Sequence, residues 1–90
     1  MVKIILTKRE IDLLEMCYRV LNMPLNYSIQ GQCVVIIENE KEKLYVMVNC
    51  VLDVFLKLGL LESSEPNELG FELEKLNEKI NHEYVILNSK

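Results

Sequence analysis

Between Leu44 and Leu61 only Asn49, Asp53 and Lys57 carry side chains that favour water, and they fall four residues apart. Positions four apart share one face of a helix. The pattern predicts a helix with one narrow wet stripe and apolar surface around most of the rest. A short chain has little material with which to cover such a helix. The segment therefore points to packing or association, and it contains no chemistry of its own.

Earlier segments alternate between strand and helix signals. VKIIL, residues 2–6, reads as a short strand. Thr7 and Glu10 form the pattern of a capping box, and Leu6 and Ile11 fit the hydrophobic staple that accompanies one. Ile11, Leu14, Tyr18 and Leu21 then recur at helical spacing, which predicts a helix over 8–21 ended by Asn22 and Pro24. Residues 22–31 lack a period and read as a loop. QCVVIIE, residues 32–38, is rich in β-branched side chains and reads as a strand. KLYVMVN, residues 43–49, admits two readings. As a strand it pairs back on Val34 to Ile37 as a hairpin. As a helix it carries the apolar helix back to Glu40. Val46 and Val48 favour the hairpin, with Asn49 capping a helix from Cys50 to Leu58 and Asp53 pairing with Lys57. Gly59 then stands where a left-handed residue ends a helix. ESSEPNE is a polar connection. Leu69, Leu73, Leu76, Ile80, Tyr84 and Leu87 form the stripe of a long last helix. Its final residues, YVILN, could instead lie as a strand beside VKIIL.

The whole is expected to be a small α+β fold, a single domain over 1–90, with about three helices packed against a short antiparallel hairpin. Ninety residues that are 50% hydrophobic can bury a core. The net charge of −4 is uneven. Glu62 to Glu83 holds seven carboxylates against Lys75 and Lys79, whereas acids and bases balance over residues 1–61. Phosphate backbones repel the acidic segment, so a nucleic-acid role is disfavoured. Centred charges cost about 3 kcal/mol each in a bilayer, so Asn49, Asp53 and Lys57 argue against a membrane span. MVKIIL is too short an apolar run for a signal peptide. Cys17, Cys33 and Cys50 are odd in number, widely spaced and set in apolar runs, which suits free thiols in a reducing cytoplasm.

Catalytic and ligand-binding patterns are missing from the sequence. One histidine, His82, and three scattered cysteines do not make a zinc site. Neither a phosphate-binding glycine loop nor a nucleophile elbow occurs. Glutamate pairs such as Glu68 with Glu72 and Glu74 with Glu78 read as solvated. No catalytic residue, cofactor or metal is expected.

Three stretches resemble winged-helix regulators. LTKREIDLLEMC is similar to their first helix, FLKLGLLESS to the end of a recognition helix entering the wing, and GFELEKLNEKI to the second wing strand with the helix after it. The resemblance implies DNA binding through the helix that carries Lys57. Base readout needs basic and amide groups facing the groove, and that helix offers only Lys57, with Lys41 and Lys43 at its start.

The expectation is thus a non-enzymatic cytoplasmic interaction protein: a small acidic regulator, inhibitor or immunity-type protein that forms a homodimer and meets a protein partner. The expected apolar contact surface is Val51, Val54, Phe55 and Leu58. The expected acidic one is Glu68, Glu72 and Glu78. A winged-helix-like DNA-binding regulator is the alternative.

Overall fold

The computed structural model describes residues 1–89. Its elements are β1 (Val2–Ile5), α1 (Lys8–Val20), β2 (Ser28–Gln30), β3 (Cys33–Ile36), α2 (Glu40–Leu58) and α3 (Glu68–Asn88). The strands form one antiparallel sheet in the order β1-β3-β2. The expected α+β architecture, three helices with a small antiparallel sheet, is what the chain adopts.

Helix α1 is set by local sequence. The Thr7 hydroxyl accepts the Glu10 amide at 3.1 Å, and Glu10 Oε1 accepts the Thr7 amide at 2.9 Å. Both bonds of the capping box are therefore present. Leu6 before the cap is buried, and Ile11 packs against the same core. At the other end Asn22 turns left-handed at φ 54°. The Met23 amide then reaches the Tyr18 carbonyl at 2.8 Å and the Asn22 amide reaches that of Arg19 at 3.0 Å, a Schellman closure with asparagine in the usual place of glycine.

The hairpin exists, but with a different partner from the one expected. β3 pairs with Ser28–Gln30 before it, across a turn in which Gly31 takes φ 63°. A positive φ at the first position of a two-residue turn is what primed hairpin turns require. β1 pairs along the other edge of β3, with Ile4 opposite Val34. Residues 43–49, read as the second hairpin strand, are instead the first half of α2. Asn49 is accordingly no cap: it lies mid-helix, its Nδ2 donating to the Tyr45 carbonyl at 2.9 Å. Burial decides this outcome. Leu44, Met47, Cys50, Val51 and Val54 are all buried on one side of α2, an arrangement only helical spacing permits. The β preference of Val46 and Val48 yields to that packing.

The core joins Ile4, Val34 and Ile36 of the sheet to Leu14, Cys17 and Tyr18 of α1, to Leu44, Met47, Val51 and Val54 of α2, and to Leu73, Leu76 and Ile80 of α3. The last helix follows the predicted stripe, and YVILN belongs to its final turns rather than to a strand. Gly59 does not take the left-handed conformation expected of it; its φ is −95°. Its role is close approach. A Cβ on Gly70 would sit 2.1 Å from the Gly59 carbonyl oxygen, and one on Gly59 would sit 3.0 Å from Gly70 Cα. The two glycines let α2 and α3 meet backbone to backbone. Asn67 locks the corner: its Oδ1 accepts the Gly70 amide at 2.7 Å, and its Nδ2 donates to the Leu58 carbonyl at 2.9 Å.

Candidate interaction surface

Helix α2 is apolar on more sides than the core can cover. Val51 and Val54, expected at an interface, are fully buried beneath the other elements and so cannot reach a partner. Phe55 is half-buried, and Leu58 is exposed. Besides Val46 and Leu58, the apolar side chains of α2 that face solvent are Tyr45 at 57%, Leu52 at 41% and Leu56 at 64% exposure. With half-buried Asn49 they repeat at steps of four, three and four, the spacing of a helix–helix seam. Asp53 and Lys57 are exposed alongside. Among the described residues neither forms an ion pair, so the intrahelical pair expected between them is not made.

The sequence pattern held part of this signal. Leu52 and Leu56 immediately precede Asp53 and Lys57 in the wet stripe, so one edge of the stripe had to be apolar and exposed. It could not say which neighbours of the stripe the core would take.

Between α2 and α3 runs a shallow groove of about 410 Å³, with Leu52 and Phe55 on one wall and Glu74 and Glu78 on the other. Asn77 lies in it, its Oδ1 buried without a donor. Toward the far end of α2 the rings of Tyr45 and Tyr84 meet at a tilt of 42° with centroids 6.1 Å apart.

The acidic residues of α3 divide into two kinds. Glu68 and Glu78 are exposed, as expected. Glu72 is not a free docking charge: Arg9 of α1 grips it through Nε at 2.7 Å and Nη2 at 3.1 Å. That hydrogen bond and the guanidinium charge hold the Glu72 carboxyl below its ordinary pKa. A second cross-link joins Lys79 Nζ to Glu10 Oε1 at 2.6 Å. Burial pushes the Glu10 pKa up, but the hydrogen bonds from Lys79 and from the Thr7 amide outweigh it, and the net shift is downward. Part of the charge on α3 thus pins α3 to α1.

Cys17 and Cys50 are buried, and desolvation raises their thiols to about 12 and about 11. Such thiols stay protonated at neutral pH and pack as apolar groups. Cys33 is half-buried on the sheet. His82 is exposed on α3. Among the described residues no group of three or more His, Cys, Asp or Glu is placed to hold a metal ion. No helix among them is long and apolar enough to cross a membrane.

The winged-helix resemblance meets two differences. GFELEKLNEKI, similar to a second wing strand, lies wholly within α3. The segment after α2 contributes one isolated bridge, Leu60 with Pro66, in place of a wing. No family model matches this chain, and comparisons with curated proteins and with solved structures find no significant match.

Proposed function

We propose that this chain is a non-enzymatic protein-interaction module, a small cytoplasmic regulator, inhibitor or immunity-type protein. It self-associates through α2 and meets a protein partner through the acidic face of α3. One observation carries the reading. With five side chains of α2 already in the core, Tyr45, Leu52 and Leu56 still form an apolar seam on its solvent side. Contiguous apolar surface on a small protein marks an interaction site. Lys41 and Lys57 on α2 stand near Glu42 and Asp53, which favours a protein over a nucleic acid as the occupant of that helix. Glu68 and Glu78 give the remaining acidic surface, of the kind that speeds encounter with a basic protein.

Sedimentation at micromolar concentration tests the first half. A concentration-dependent mass above the 10.5 kDa monomer is expected, and a constant monomer mass argues against self-association. Pull-down from the host lysate followed by binding kinetics tests the second. The variant Glu68→Lys/Glu78→Lys should associate more slowly with the recovered partner at low salt, and an unchanged rate would reduce these glutamates to solvation.

A further inference from the structure

We propose that two copies of this chain pair through antiparallel α2 helices, Leu52 of each against Leu56 of the other, with Asp53 of each copy facing Lys57 of the second. The proposal rests on the self-association reading and gives it a surface, a symmetry and a register.

Tyr45, Asn49, Leu52 and Leu56 follow the spacing of positions that interlock between two helices, and the three apolar members are exposed. The occupant is chosen by charge. Asp53 and Lys57 lie along one flank of this seam, both exposed and, among the described residues, both without an ion-pair partner. A strongly basic or acidic partner gains nothing from a flank that carries one charge of each sign. A second copy run in the opposite direction gains two Asp53–Lys57 attractions against one close repulsion between the aspartates.

The geometry follows from a two-fold axis crossing the seam midway between Leu52 and Leu56. Leu52 of each copy then meets Leu56 of the other, the reciprocal contact an isologous interface requires. In an antiparallel pair, like flanks face each other. Asp53 stands one residue before the axis and Lys57 three residues after it, so Asp53 of each copy opposes Lys57 of the other with an offset of about 3 Å at 1.5 Å per residue, while the two aspartates are offset by the same distance and the two lysines by about 9 Å. A lysine stem spans the shorter distance. In a parallel pair this flank would face the opposite one, where α2 offers Val48 and Phe55 and α3 offers Glu74 and Glu78, so Asp53 would gain no cation.

Charge exchange tests the register. Sedimentation equilibrium would compare the wild-type protein with D53K, with K57D and with the double variant D53K/K57D. Circular dichroism would confirm that each exposed substitution leaves the helices intact. Each single exchange turns two attractions into two repulsions and should weaken the dimer about tenfold at low salt. The double exchange restores both pairs and should return the dissociation constant to within about threefold of wild type. Asp53→Asn should act in the same direction as D53K with a smaller loss. A wild-type dimer that ignores the single exchanges, or that the double exchange fails to restore, overturns this pairing while leaving self-association in place. A wild-type chain that stays monomeric overturns the self-association reading and this pairing with it.

Discussion

Glu10 Oε1 receives the Thr7 amide at 2.9 Å and Lys79 Nζ at 2.6 Å. One carboxylate oxygen therefore both closes the N-terminus of α1 and ties that helix to α3. The arrangement stabilises twice with one group, because the cap is local and the ion pair spans 69 residues.

A pH dependence follows. The folded-state pKa of Glu10 lies below the ordinary 4.5, so its stabilisation is present above that value and is lost as the pH falls through the folded-state pKa. Glu72, held down by Arg9, adds to the same acid limb. Glu10→Gln should lower stability at pH 7 by about 1–2 kcal/mol, through the weakened cap and the lost pair. It should also flatten the acid limb. Urea denaturation between pH 7 and pH 3 measures both effects, and parallel curves for variant and wild type would contradict the role given to Glu10.

Gly70→Ala should be among the most damaging small substitutions. The new methyl would sit 2.1 Å from a backbone carbonyl oxygen, and no side-chain rotation relieves that clash. Separating α2 from α3 at this corner should cost about 3 kcal/mol. Thermal unfolding reads the loss directly.

The thiols should differ in reactivity. In the native protein an aromatic disulfide reagent at neutral pH should find Cys33 and leave Cys17 and Cys50 untouched until denaturant is added, since both are buried and their thiols are pushed up to about 12 and about 11. Cys17→Ala and Cys50→Ala should each lower stability by about 1 kcal/mol through lost packing. Rapid native labelling of all three thiols would show that the core opens readily.

The glutamates of α3 should not be equivalent. Glu78→Lys alters an exposed side chain outside any ion pair of the described residues and should leave the melting temperature nearly unchanged, whereas Glu68→Lys reverses the favourable charge in the first turn of α3 and should cost about 0.5 kcal/mol. Glu72→Lys sets a second cation against Arg9 and should melt lower than either. Combining it with Arg9→Glu should recover most of the difference.

What the sequence made legible was what it encodes locally. The box of Thr7 and Glu10, the stop at Asn22 and the stripe of α3 each depend on residues a few positions apart. Residues 43–49 differ from the strand reading because valine's strand preference is local, whereas their helical state is decided by the packing of α2 against α1 and α3, which buries Leu44 and Met47. β2 was missed because Ser28–Gln30 is short, exposed and without alternation; only pairing with β3 defines it. The ion pairs of Glu10 with Lys79 and Arg9 with Glu72 join residues more than sixty positions apart, beyond any spacing rule. For α2, an apolar segment on nearly all sides announced an association surface without saying which side the core would claim, so Val51 and Val54 stood in for Leu52 and Leu56.

The strand order also bears on how the chain assembles. β1 lies at the sheet edge, and its hydrogen-bonded neighbour is β3, some thirty positions later. During synthesis the first strand has nothing to pair with until residues 33–36 have left the ribosome. α1 has only local caps, and Leu6 and Thr7 alone separate it from the end of β1. The cost of closing that loop rises only slowly with its length. The sheet is therefore complete only once β3, the strand that joins β1 to β2, is in place.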